Sequence, residues 1–249
     1  MTFKPIKAFR VLFGIENTIS AYPSDFELFH QEIINKVRPY TMTSSERLYG
    51  LIEAVKYIVK HNINGDFVEC GVWKGGSAMA IAETLLSLGV TDRKIWLYDT
   101  FEGMTAPTKD DIDILNRDAG QQLTEQIADK NSSIVWAYSS LEEVKANFAK
   151  TNYPQNNIHF IKGDILQTVP SNAPAQIALL RLDTDWYEST AHEMTHLYPL
   201  LTQEGVLIID DYGFWKGSKK AVDEYFEKKK ERILLHRMDE TGRIAIKSY

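Results

Sequence analysis

Residues 66–77 read Asp66-Phe67-Val68-Glu69-Cys70-Gly71-Val72-Trp73-Lys74-Gly75-Gly76-Ser77. The stretch from Asp66 to Val72 predicts a short buried strand, and the apolar run after Ser77 through Leu86 predicts a helix. Between them, Gly75-Gly76-Ser77 places small residues where the chain must turn. That is also where a ligand could approach a helix N-terminus closely. A second strand, Lys94 to Tyr98, ends at Asp99 and completes a βαβ unit of right-handed connection. Taken alone, the glycine segment is explained equally well by a tight turn, and it does not match the dinucleotide fingerprint G-x-G-x-x-G.

Downstream the strand-helix rhythm returns. A capped helix near Ser140 leads to a strand at 158–161 followed by Gly163-Asp164, and two further strands follow. Ile177 to Leu182 ends in Asp183-Thr184-Asp185, and Val206 to Ile209 ends in Asp210-Asp211. A helix from about Tyr187 to Leu201 joins them. A helix around Lys219 to Lys230, a strand at 233–238, a turn at 239–242 and a strand at 243–247 close the chain. So short a turn makes this last pair antiparallel. The fold class is therefore α/β, a Rossmann-like, mostly parallel sheet with a C-terminal antiparallel hairpin strand.

Upstream, Thr43 and Glu46 suggest a capping box before a helix whose stripe is Leu48, Leu51, Ile52, Val55, Ile58 and Val59. Residues 1–40 read as an N-terminal helical arm or cap. Residues 105–133 are polar, acid-rich and only partly periodic, and read as a lid-like insertion facing the substrate. The 249 residues are expected to form a single domain (1–249).

Composition narrows the function. A net charge of -6 and a pI near 5.6 leave no basic stripe for nucleic acid. The densest basic run, Lys228 to Arg232, reads as a solvated helix face. Cys70 is the single cysteine, which rules out an internal disulfide or multi-thiolate centre and fits a reducing cytoplasm. No stretch reaches transmembrane length.

In an open parallel sheet, ligands bind beyond the C-terminal strand ends, where the strand order reverses. Glu69, Gly71, Asp99, Asp164, Asp183, Asp185, Asp210 and Asp211 all fall on that edge. Asp99 suits the vicinal hydroxyls of a ribose. Asp164 could take an adenine amino group or simply cap the next helix. Asp183, Asp210 and Asp211 should meet, and carboxylates that meet repel unless protonated or neutralised by a cation. Three of them with waters and substrate oxygens suit octahedral Mg²⁺, with Mn²⁺ as a substitute. Such an ion would activate an acceptor hydroxyl toward a sulfonium methyl. Asp185 could accept the hydroxyl proton or cap the following helix. His192 and His196, four apart, lack the glutamate of an H-E-x-x-H frame and read as packing residues.

With these residues in view, the chain resembles the macrocin O-methyltransferase family, small-molecule enzymes of the class I methyltransferase fold. The matching stretches are YTMTSSERLYGLIEAV from Tyr40, FVECGVWKGGSA from Phe67, WLYDTFEGM from Trp96, LLRLDTDWYEST from Leu179 and GVLIIDDYGFW from Gly205. The resemblance implies S-adenosylmethionine as methyl donor and a small-molecule hydroxyl, on a sugar or other natural product, as acceptor. It also implies a homodimer. Carried over by residue, Glu69, Gly71, Ser77 and Asp99 serve the cofactor, and Asp164 and Asp183 at the same sheet edge are counted with them. Thr41, Met42 and Ser44 join them on the resemblance alone. Asp183, Asp210 and Asp211 become metal ligands and Asp185 the general base. The 105–133 region aligns with none of the matching stretches, so acceptor choice is where the resemblance says least.

Two other readings compete. Asp-x-Asp after a strand also holds metal and nucleotide sugar in glycosyltransferases, and a Rossmann-like fold alone is compatible with a non-catalytic cofactor-binding protein. Neither accounts for the glycine segment, Asp99 and the intact acidic set together.

Overall fold

The computed structural model describes residues 22–248. Seven strands form one sheet: β1 (Asp66–Cys70), β2 (Ile95–Asp99), β3 (Ile158–Lys162), β4 (Ile177–Leu182), β5 (Leu201–Ile209), β6 (His236–Arg237) and β7 (Arg243–Ile246). Their order is β3-β2-β1-β4-β5-β7-β6. The first five are parallel, while β7 runs antiparallel to β5 and pairs in turn with β6. The order reverses between β1 and β4, so the ligand crevice belongs there.

Side chains along β1 alternate between two layers, as strand geometry requires. Phe67 packs with Leu97, Leu179 and Ile208 against α1 (Leu28–Val37), α2 (Ser45–Lys60) and α3 (Gly76–Ser87). Val68 and Cys70 pack with Leu180, Leu182, Leu207 and Ile209 against α7 (Tyr187–His196) and α8 (Lys216–Lys229). The N-terminal arm is thus represented by α1, docked on the same face as α2; residues 1–21 lie outside the described part. No helix among the described residues is long and apolar enough to cross a membrane.

The 105–133 segment leaves β2 and contains α4 (Ala119–Glu125), followed later by α5 (Leu141–Phe148); the short α6 (Ile165–Thr168) follows β3. It is not a detached flap, because bridges join Ile112 to Asp118 and Asp113 to Trp215.

Several boundaries differ from expectation for visible reasons. The N-cap of α2 is Ser44, whose Oγ accepts from Arg47 N, rather than Thr43. Strand β1 stops at Cys70 because Gly71 turns with φ +82°. The helix expected to reach Leu201 ends at His196, gives way to a 3-10 turn containing Pro199, and β5 begins at Leu201. Strand β6 shrinks to two residues.

Candidate active site

One backbone hydrogen bond beyond each parallel strand aligns the exits that carry the site. Gly71 N donates to Tyr98 O (2.9 Å), Asp183 N to Cys70 O (2.8 Å) and Asp210 N to Leu182 O (2.9 Å). A Cβ on Gly71 would overlap the Asp183 carbonyl, so glycine is required for the β1 and β4 exits to touch. The exits open into a cavity of about 370 Å³.

On one side the cavity is lined by Gly71, Val72, Trp73, Ser77, Tyr98, Asp99 and Asp164. Asp99 Oδ2 accepts from Val72 N (2.7 Å) and Trp73 N (3.1 Å), and Oδ1 from Phe101 N (2.7 Å). Its carboxylate therefore clamps the glycine turn to the end of β2, and because Thr100 Oγ1 also lies 3.5 Å from Oδ1, each oxygen faces two donors from within the protein. Burial pushes its pKa up, and these backbone donors pull against that. Asp164 caps α6 through Leu166 N (2.9 Å), so the capping alternative is realised while the residue also borders the cavity.

The segment before α2 supplies the roof. Thr41, Met42 and Thr43 line the cavity, and Gly76 lets the Tyr40 carbonyl sit against the start of α3. The hydroxyls of Thr41 and Thr43 lie 3.5 and 3.2 Å from Ser77 Oγ. Ser44 does not line the cavity; its hydroxyl donates to Asp239 Oδ2 at 2.5 Å. Glu69 does not line it either, being buried beneath the floor.

The acidic floor holds Asp183, Asp185, Asp210 and Asp211. The sequence argument that such carboxylates need a cation holds, but the cations in place are arginines that the sequence reading overlooked. Arg181, 2% exposed on β4, pairs with Glu69 across β1, with Asp183 (2.7 Å) and with Asp210 (2.8 Å). Arg47, from the first turn of α2, reaches Asp210 and Asp239. Their charge holds both guanidiniums fully protonated despite burial. The signal was present: a charged residue inside the apolar strand Ile177–Leu182 is tolerated only when paired.

Two arginines do not satisfy the whole set. Burial, then the negative charge of Asp210 and Asp211, pushes Asp183 well above the usual carboxylate range against the pull of Arg181. Burial, followed by Asp185 and Asp210, does the same to Asp211. Asp185 is pushed up to about 7 by burial and by Asp183, opposed by the neighbouring Asp211 and Trp215 side chains. Glu69 is likewise pushed up to about 7 by burial, with Arg181 pulling the other way. Asp185 does not cap α7: the N-cap is Trp186. Asp185 instead takes a left-handed backbone, φ +66°, a strained state for a non-glycine residue that clusters at functional sites.

His192 packs at a tilt against His196 and bonds the Val169 carbonyl (2.9 Å), a packing role away from the cavity. Opposite the acidic floor, the 105–133 segment and its continuation contribute Thr105, Arg117, Gln122, Ile134 and Val135, which face Trp186, Phe214 and Trp215.

The model of the family described as macrocin O-methyltransferase (TylF) matches residues 35–245. The chain belongs to that family. Demethyldecarbamoylnovobiocin O-methyltransferase of Streptomyces niveus is 33% identical over 202 residues, 79% of this chain and 73% of that one. Mycinamicin III 3''-O-methyltransferase of Micromonospora griseorubida is 32% identical over 75% of this chain and 70% of its own. Among solved structures, the O-methyltransferase NovP superposes with a TM-score of 0.74 at 30% identity, covering 88% of each chain. The calicheamicin methyltransferase CalS11, at 14% identity and a TM-score of 0.61, shares the fold. The chain is thus an O-methyltransferase of the macrocin family, and glycosyl transfer and non-catalytic binding are set aside.

Proposed function

We propose that this macrocin-family enzyme moves the methyl group of S-adenosylmethionine to a hydroxyl of a sugar or related natural-product moiety, with Asp185 as general base. The observation that carries this reading is that the Gly71 turn and the Asp185 carboxyl line one cavity. A methyl donor on the first and an acceptor hydroxyl beside the second would meet there. The glycine turn, the Thr41–Thr43 hydroxyls and Asp99 form the donor half. Trp186, Phe214, Trp215 and the 105–133 wall form the acceptor half, so we read that wall as a lid within a single domain.

In the reaction, Asp185 takes the hydroxyl proton as the oxygen attacks the sulfonium methyl carbon. The new O–C bond forms as the C–S bond breaks, and the pair of electrons left on sulfur yields S-adenosylhomocysteine. A base that titrates near neutrality combines the ionised form with useful basicity.

A divalent cation fits the donor chemistry. Among the described residues no group of three or more His, Cys, Asp or Glu is preassembled as a cage. Yet Asp211 Oδ2 is buried without a partner, and Asp210 Oδ1 lacks an aligned donor although Arg181 is near. Hard, under-satisfied carboxylate oxygens suit Mg²⁺, and Asp183, Asp210 and Asp211 would hold it. When bound, the ion supplies Lewis-acid stabilisation of the developing alkoxide charge. The buried thiol of Cys70 suits a reducing cytoplasm.

The test is calorimetric titration with S-adenosylmethionine and S-adenosylhomocysteine, followed by turnover of a panel of glycosides with and without chelator. Binding of both cofactor forms and methyl transfer lost to chelator and restored by Mg²⁺ is the expected result. Absence of cofactor binding would overturn the donor assignment, and full activity in chelator would remove the metal.

A further inference from the structure

Helices α7 and α8 start directly after the two acidic loops, yet neither carries a side-chain cap of its own: their N-cap residues are Trp186 and Trp215. Both first-turn amides are satisfied from the 105–119 segment instead. Asp111 Oδ1 accepts from Tyr187 N (2.7 Å), and the Ile112 carbonyl accepts from Lys216 N (2.9 Å). Asp111 is fully buried. Its second oxygen accepts from Thr108 N (2.6 Å) and Thr108 Oγ1 (2.9 Å). At Gly217, on the first turn of α8, a Cβ would overlap Asp111 Oδ1. The carboxylate is therefore wedged between the two helix starts, where amides without internal partners and the helix dipoles favour an anion.

The two N-cap tryptophans adjoin the proposed base. Trp186 follows Asp185 directly and donates its indole N–H to the Thr105 carbonyl (3.1 Å). Trp215 lies beside the Asp185 side chain, packs edge-on against Trp186 at 4.9 Å and pairs through its backbone with Asp113. The segment that walls the acceptor side thus braces both tryptophans that adjoin Asp185.

We infer that Asp111 is a positioning residue for the methyl transfer: it locks the 105–119 wall to the starts of α7 and α8 and thereby fixes Asp185 in its left-handed conformation. The inference rests on the reading of Asp185 as base, but its structural half is tested separately. Asp111→Ala removes three hydrogen bonds. Asp111→Asn keeps an oxygen for Tyr187 N, and the Thr108 hydroxyl can rotate to accept from the new amide, but Thr108 N loses its acceptor. Gly217→Ala leaves Asp111 in the chain but displaces its carboxylate.

The experiment combines hydrogen–deuterium exchange of the full-length chain with steady-state kinetics and S-adenosylhomocysteine titration. For Asp111→Ala and Gly217→Ala, amide exchange should rise together in residues 105–119 and in the first turns of α7 and α8. With a misplaced base kcat should fall about tenfold or more, while cofactor affinity changes by less than about twofold. Asp111→Asn, which keeps the bond to Tyr187 N and loses that to Thr108 N, should fall between Asp111→Ala and wild type in both. Faster exchange confined to 105–119, with the α7 amides still protected, would overturn the inference, as would an unchanged kcat in Asp111→Ala. Should no acceptor be methylated by the wild type, the functional reading has failed and exchange alone decides whether the wall and helix starts are coupled.

Discussion

Asp185 combines a left-handed backbone, a carboxyl pushed up to about 7 by burial and a place beside Trp215. A residue held under strain and tuned toward neutrality is doing something a solvated helix cap would not require. Asp185→Asn keeps the shape and removes the base, so turnover should drop about 100-fold or more. The dissociation constant for S-adenosylhomocysteine should stay close to wild type. A wild-type kcat would remove Asp185 from the proton path. The neighbouring Arg181 makes a different prediction. It is the shared partner of Glu69, Asp183 and Asp210, and its replacement by Met would leave Glu69 and Asp183 without their counter-charge and Asp210 with Arg47 alone. Breaking a buried ion network in this way costs about 3–5 kcal/mol. Urea denaturation at neutral pH measures it, and a loss under about 1 kcal/mol would show that the carboxylates simply take up protons.

At the scale of elements, the strand ends were legible because each apolar run stops at an acid or glycine, and the parallel register brings those stops side by side. The arginine partners were less so. Arg181 looks like an interruption of a hydrophobic strand, and Arg47 sits on a helix whose apolar stripe draws the attention. The cap of α7 could not be read at all, since Asp111 lies 76 residues upstream in a segment without periodicity. Glu193 was hidden in the same manner: on the buried face of α7 its Oε1 accepts from Thr184 Oγ1 at 3.0 Å, and it touches Cys70. Burial pushes its pKa from 4.5 up to about 8, with those two hydrogen bonds opposing. A raised folded-state pKa contributes stability that is complete below about pH 4.5 and is lost as pH rises toward 8. Glu193→Gln removes that dependence. The variant should match wild type near pH 4.5 and exceed it by on the order of 2 kcal/mol at pH 8. Parallel stability curves across that range would show that Glu193 is ionised in the folded protein.

Across the whole molecule, one clasp joins the start of α2 to the closing hairpin, which lie almost the full described chain apart in sequence. Asp239, in the β6–β7 turn, accepts from Ser44 Oγ, from Arg47 Nε (3.0 Å) and Nη2, and from Gly242 N (2.7 Å). Arg47 continues inward to Asp210 and also reaches Thr241 Oγ1. The hairpin, the helix that follows the cavity roof and the acidic floor are therefore tied through one guanidinium. Burial opposes ionisation of Asp239, but the Ser44 hydroxyl, the Gly242 amide and Arg47 outweigh it and lower the carboxyl to about 2. A depressed folded-state pKa contributes stability that is present above the unfolded value of 3.8 and is lost as pH falls through 2. Partial solvent access screens the ion pair, so the contribution is on the order of 1 kcal/mol. Asp239→Asn should accordingly melt below wild type at pH 6, and the gap should narrow between about pH 4 and pH 2. Because Arg47 would then lose its outer anchor, the same variant should also weaken S-adenosylhomocysteine binding, through the Thr41–Thr43 roof that precedes α2. A melting gap that stays constant down to pH 2 would mean that the clasp does not depend on the charge of Asp239. An unchanged cofactor affinity would mean that the roof holds without it.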